Sequence, residues 1–269
     1  MRNSTRKSWH LILPALFFAL LPVGPLAAQP TTTFNLTGVG SGDIVWSNSG
    51  GGINTSPYAG NVSGGSTIPV ICDDFADNSY VPETWTAYVT QLSSLTPTTT
   101  DATLKWTTGD GGTLTQDEAY TVASVLAVEI LNPTNTATAQ EELSFAMWAL
   151  FDPTGTTKDP GALAWLLSNG YPSNSAFYQQ VVSDLNNAVT YASNSANANQ
   201  VNADKSETTI YSYDPVNGVS NCGGCSGPPQ EFIAVKMAEP SSPALLGFDL
   251  IAVAGLVFLV RRRIARSVN

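Results

Sequence analysis

Histidine is all but missing from this sequence. The single one, His10, lies close to the N-terminus. A chain trimmed beyond that point has no imidazole, which excludes Ser-His-Asp and Cys-His catalysis and the usual histidine-containing zinc sites. Cysteine is scarce too: three are present, at positions 72, 222 and 225. Basic residues are nearly absent from the body. Arg2, Arg6 and Lys7 stand at one end and Arg261, Arg262, Arg263 and Arg266 at the other, leaving Lys105, Lys158, Lys205 and Lys236 against nearly all of the 21 acids. Such an acidic surface repels nucleic acid and anionic lipid. No nucleic-acid partner and no cofactor is expected. Long apolar runs are also missing between the two ends.

Both ends carry what the body lacks. A basic start, an apolar stretch from Leu11 to Leu21 and the small residues Pro25-Leu-Ala-Ala28 read as a secretory signal peptide over residues 1–28, cut after Ala28 by signal peptidase once the secretion machinery has engaged it. The far end reads as a transmembrane helix. Pro243 to Val260 is 18 residues, about 27 Å as a helix, close to the hydrocarbon thickness of a bilayer. The arginines after it keep that end cytoplasmic. Asp249 interrupts the span at an insertion cost of roughly 2.5–3.5 kcal/mol near mid-helix. The expectation is an extracytoplasmic domain over residues 29–237 followed by a membrane-reaching tail over 238–269.

Ala238-Glu239-Pro240-Ser241-Ser242, an apolar helix and an arginine cluster, in that order, resemble a PEP-CTERM sorting tail. Ala238 stands where that family usually has its first proline, and Asp249 departs from its apolar span. The resemblance implies recognition by an exosortase-type membrane protease in a Gram-negative, exopolysaccharide-making cell. It also implies transient anchoring in the inner membrane, then release to the cell surface or beyond.

Within the body the hydrophobic period changes twice. Thr33-Phe-Asn-Leu-Thr-Gly, Asp43-Ile-Val-Trp-Ser and Thr84-Trp-Thr-Ala-Tyr-Val alternate as strands, with Gly/Ser-rich turns between them. Thr67 to Ile71 reads as a buried strand leading into Cys72. Thr115-Gln-Asp-Glu118 and Thr138-Ala-Gln-Glu141 read as capping boxes ahead of two helices. Asp159-Pro160 reads as the start of a third helix, stopped by Gly170, and Ser173 to about Ala192 as a fourth. Asn194 to Ala203 reads as a loop. Strands return at Thr208–Tyr213 and Glu231–Lys236. The expected class is α+β: a β-rich domain with a helical subdomain inserted over about 114–195.

Val70-Ile-Cys-Asp-Asp-Phe75 is the stretch most suggestive of chemistry. Together with Ser144-Phe-Ala-Met-Trp148 it resembles the thioester domains of bacterial surface adhesins, where a cysteine after a strand cross-links to a glutamine ahead of an apolar-Trp sequence on a helix. By that resemblance Cys72 matches the family cysteine and Ala146-Met147-Trp148 the apolar-Trp part. The glutamine position is Ser144, which cannot form the acyl bond, and Gln140 lies one turn earlier. Cys72 is therefore expected as a buried free thiol. Cys222-Gly-Gly-Cys225 is expected to form a small-loop disulfide in an oxidising compartment. Asp73, Asp74, Asp77 and Asn78 are oxygen donors of the kind calcium takes, although their spacing is not that of an EF-hand.

The reading that follows is an exported, surface-sorted, non-enzymatic protein of the envelope or exopolysaccharide matrix, with extracellular polysaccharide as partner. The alternative is an envelope enzyme acting on polysaccharide through a carboxylate pair.

Overall fold

The computed structural model describes residues 29–39, 44–155, 161–218, 221 and 227–236. The expected signal peptide, the expected sorting motif at Ala238–Ser241, the expected span 243–260, the terminal arginines and the Cys222/Cys225 pair lie outside those residues. Among the described residues no helix is long and apolar enough to cross a membrane.

Among the described residues ten strands and five α-helices follow in order. Strands β1 (Thr31–Gly38), β2 (Ile44–Trp46), β3 (Gly52–Asn54), β4 (Tyr58–Val62), β5 (Ile68–Cys72) and β6 (Glu83–Gln91) come first, then the two-residue strands β7 (Thr108–Gly109) and β8 (Leu114–Thr115). Helices α1 (Gln116–Ile130), α2 (Ala137–Phe151), α3 (Ala162–Ser168), α4 (Ala176–Ser193) and α5 (Ala198–Glu207) follow, and β9 (Thr208–Tyr213) and β10 (Phe232–Val235) are last among the described residues. Six strands form a closed barrel in the order β1-β4-β5-β10-β9-β6, each neighbour antiparallel. Closure removes the exposed edges that an open sheet would present. The expected β-rich domain with inserted helices is present, and α1 to α5 enter between the barrel strands β6 and β9.

Strand alternation assigns side chains to two cores. On β5, Val70 and Cys72 face the barrel interior while Ile71 faces the helices. On β10, Phe232 and Ala234 point inward and Ile233 and Val235 outward, and the register pairs Cys72 with Phe232 and Ile71 with Ile233. These strands are buried on both faces, so their sequences are continuously apolar rather than alternating. Aromatics fill the barrel: the Phe34 ring lies 4.9 Å from Trp85 and 5.7 Å from Phe232. Gly60 on β4 leaves the room this needs, because a Cβ there would sit 2.9 Å from Phe34 Cζ.

The second core lies between the barrel and the helices. In α2 every residue from Leu143 to Phe151 is buried, as befits a helix enclosed on all sides. The capping box expected at Thr115 and Glu118 is present at the start of α1. The second helix is capped by Thr136, not by Thr138, so α2 begins earlier than its Thr138–Glu141 spacing suggested. Helix α3 begins at Ala162 after the N-cap Gly161, and Asp159-Pro160 lies outside the described residues. The segment expected as a loop after Asn194 contains α5 instead. Its apolar content is small, but buried Val201 and Asp204 and the Lys205–Asp117 ion pair at 2.6 Å hold it against α1.

Candidate functional site

Strand β5 ends at Cys72, and the two residues after it leave the sheet into a turn. The Asp74 carboxylate shapes that turn, its Oδ1 accepting from the backbone N–H groups of Ala76 at 3.0 Å and Asp77 at 3.3 Å. Asp74 and Asp77 converge, as the calcium reading required, but on the ammonium of Lys105. Lys105 Nζ binds an Asp74 oxygen directly and reaches Asp77 Oδ2 at 2.6 Å. It also lies 5.0 Å from the centre of the Trp106 ring. The chain's own cation thus takes the place between these two carboxylates. Among the described residues no group of three or more metal-ligating side chains converges. Exposed Asn78 lies on the same loop.

Asp73 turns away from this pair. It is fully buried, and neither of its oxygens receives a hydrogen bond from a donor. Burial first, and the charge of Glu231 second, push its pKa well above the usual carboxylate range. Glu231, 1 % exposed, is well supplied with donors. The Tyr120 hydroxyl, the Ser212 hydroxyl and the Lys105 backbone N–H at 3.0 Å all donate to it. As two carboxylates, Asp73 and Glu231 would only repel. The rise in its pKa therefore favours a proton on Asp73. Asp74 is pushed up to about 6 by burial, against the opposing pull of Lys105. Burial works against the charge on Lys105, but Asp74 and Asp77 outweigh it and raise its pKa.

Cys72 is fully buried and is a free cysteine. Its thiol donates to the Asp74 carbonyl at 3.1 Å, and burial, followed by the charges of Asp74 and Asp73, raises its pKa well above the ordinary thiol value. A protonated, enclosed thiol is a poor nucleophile. Ser144 approaches Cys72 only through Ser56. The Ser56 N–H donates to Ser144 Oγ at 3.1 Å, and the Cys72 N–H donates to Ser56 Oγ at 3.1 Å. Trp148 Nε1 donates to the Cys72 carbonyl at 2.8 Å. The Gln140 carboxamide faces elsewhere, donating to the Ile130 carbonyl at 3.0 Å at the end of α1. The residues that resemble the thioester motif therefore serve as a structural clamp between α2 and the end of β5.

Over this clamp opens a cleft of about 310 Å³. Phe75, Trp148 and Trp165 supply its aromatic wall; the Phe75 ring lies 5.2 Å from Trp148 and 6.5 Å from Trp165. Asn54, Asp77, Asn78 and Gln230 supply polar groups. The Gln230 side chain donates to the Asp74 carbonyl at 2.6 Å and to the Asp77 carbonyl, which ties the start of β10 to the loop after β5. Of the tryptophans, Trp85 and Trp148 are core residues and Trp165 is half-buried, while Trp46 is 58 % exposed on β2.

Lys105, Tyr120, Ser212, Gln230 and Glu231 were not visible as parts of one site in the sequence. The one signal was Glu231 itself, an acid set directly before the apolar strand Phe-Ile-Ala-Val.

No protein-family model and no curated protein matches the chain. Solved structures do. The pilus-presented adhesin Cpa aligns with 78 % of this chain and 48 % of its own, at 11 % identity and a TM-score of 0.40. The N-terminal domain of the Streptococcus pyogenes pilus tip adhesin Cpa aligns over 80 % of this chain and 97 % of its own, at 10 % identity and a TM-score of 0.37. The N-terminal thioester domain of the fibronectin-binding protein SfbI from Streptococcus pyogenes aligns over the same shares, at 11 % identity and a TM-score of 0.33. This chain spans about half the length of the first of these. Similarity at this level is one of outline only.

Proposed function

We propose that this is an exported, surface-sorted protein that acts by binding, and that the cleft beside Cys72 and Asp74 holds its ligand, an extracellular polysaccharide. The observation that carries this reading is the pairing of an aromatic wall with a rim of amides and a carboxylate. Rings offer the apolar face of a sugar a stacking surface, and Asn and Gln match its hydroxyls as donors and acceptors. Catalysis has less support. Asp73 and Glu231 are the paired carboxyls, but they are 0 % and 1 % exposed, and Glu231 is already taken up by Tyr120, Ser212 and the Lys105 backbone. No glycosidic bond reaches between them, and a glycosidase pair needs room for one.

The test is binding of the exported protein to the soluble exopolysaccharide of the producing cell and to a panel of defined oligosaccharides, followed by calorimetry. Asn78→Ala, on an exposed loop, and Trp165→Ala should each weaken binding about tenfold or more. Absence of binding to every glycan, or release of reducing sugar ends over time, overturns the reading. The sorting tail is tested separately. Mass spectrometry should find a C-terminus near Ala238–Ser242 only in cells that have an exosortase, whereas recovery of Arg261–Asn269 on the mature protein would argue for a permanent anchor.

A further inference from the structure

A second cavity, larger than the first, lies among the helices. It occupies about 550 Å³ where α1, α2, α4 and α5 diverge. Its floor is apolar: Val125, Leu126 and Val128 from α1, Leu143 from α2 and Ala188 from α4. Three carboxyls from three helices line it, Glu129 on α1, Asp184 on α4 and Asp204 on α5, with the 37 % exposed ring of Tyr191 beside them.

What these acids lack is a cation. Among the described residues the ion pairs use only Lys105 and Lys205. Lys205 follows Asp204 in sequence yet turns to Asp117 at 2.6 Å. Asp184 and Asp204 instead receive a neutral amide each, from Gln180 at 2.7 Å and Gln200 at 2.8 Å, one helical turn before them. Asp204 is only 8 % exposed, and it lines the cavity. A carboxylate enclosed to that degree ordinarily has a charged partner. Burial raises the pKa of both Asp184 and Asp204, and Glu129 adds to the effect at Asp184. Glu142 on α2 is raised by burial and then by Asp184. The groove therefore holds crowded, partly desolvated negative charge above an apolar floor.

We propose that this groove binds a linear aliphatic polyamine, its methylene chain on the Leu126–Leu143–Ala188 floor and its ammonium groups on Glu129, Asp184 and Asp204. The apolar floor favours an alkyl stem over a bare metal ion, and carboxyls on three separate helices match a cation with more than one charged centre. The Tyr191 ring offers a further face to an ammonium group. The cavity falls within the usual range for small-ligand sites, about 300–1,000 Å³. The site is separate from the aromatic cleft, and nothing in the polysaccharide reading depends on it.

Calorimetry of the full exported protein with spermidine tests the proposal, with 1,8-octanediol as an uncharged chain of similar length. Spermidine should bind with one dominant site and octanediol should not. Asp184→Asn and Glu129→Gln should each weaken spermidine binding about fivefold to tenfold, and Asp204→Asn more. NMR or hydrogen exchange should report the contact on α1, α4 and α5. Equal spermidine affinity in all three variants would mean diffuse attraction to an acidic surface and would overturn the site, as would no binding. Equal binding of octanediol would overturn the role of the carboxyls. Glu129 is exposed, so a folding defect in Asp204→Asn leaves Glu129→Gln to decide.

Discussion

At the scale of single residues the site is governed by who holds a proton and who holds a charge. Among the described residues Lys105 is the one cation at Asp73, Asp74, Asp77 and Glu231. Lys105→Met should leave Asp74 and Asp77 facing each other without a counter-ion and cost about 2 kcal/mol, less than the loss of a fully sealed pair because the ammonium is partly exposed. Chemical denaturation measures this directly. The pH dependence has a definite sign. The folded pKa values of Asp73 and Asp74 lie above their unfolded values, with Asp74 near 6. Their stabilising contribution is complete below about pH 4 and is lost as pH rises through the folded values. Melting temperature should therefore be higher at pH 5 than at pH 8, and Asp74→Asn should flatten the slope. A wild-type stability that climbs between pH 5 and 8 would contradict this assignment. Cys72 should react with a thiol reagent only on unfolding, and the intact mass should show no loss of ammonia. An ammonia-deficient mass would instead reveal an internal thioester.

At the scale of elements the helix ends are the most local features and were the most legible. The Thr115/Glu118 box is readable because both partners lie within four residues, and its Glu118 pKa is lowered by the bonds from Thr115. Glu118→Ala should cost about 0.5–1 kcal/mol. The strands β1, β5, β6, β9 and β10 were legible from alternation or from an unbroken apolar run. Helix α5 was not. Its sequence, Ala-Asn-Gln-Val-Asn-Ala-Asp-Lys-Ser-Glu, has little apolar period, and what fixes it is a contact to Asp117 on α1, 88 positions away. The acid–lysine cluster escaped for the same reason. It is assembled from the end of β5, the segment before α1 and the start of β10, and no short motif records that meeting. A resemblance to thioester motifs pointed to Cys72, Ser144 and Trp148, which stand together through hydrogen bonds by way of Ser56 and from Trp148. Gly161 marks a tight element boundary. A Cβ there would collide with the backbone of Asp152, Thr154 and Gly155, so Gly161→Ala should destabilise by about 1–3 kcal/mol through displacement of α3.

At the scale of the whole molecule, the two cores share walls. Ile71, Ile210 and Ile233 belong to the helical core while their neighbours on β5, β9 and β10 fill the barrel. Removing α1 to α5 would expose one face of three adjacent strands, so the barrel should not fold when residues 116–207 are replaced by a short linker. The intact domain should melt in a single transition by both near- and far-ultraviolet dichroism.

Strand β10 has a mechanical consequence. The segment just before it meets the aromatic cleft through Gln230, and its last residue, Val235, leads into Lys236 and whatever lies beyond. On the proposed function β10 would act as a tie rod between a ligand in the cleft and whatever follows Lys236. Tension along it would load its four register pairs with β9 and its two with β5 side by side, in shear, so they must yield together rather than peel one by one. A domain pulled between cleft and C-terminus in a force spectrometer should resist markedly more than the same domain pulled apart across the barrel.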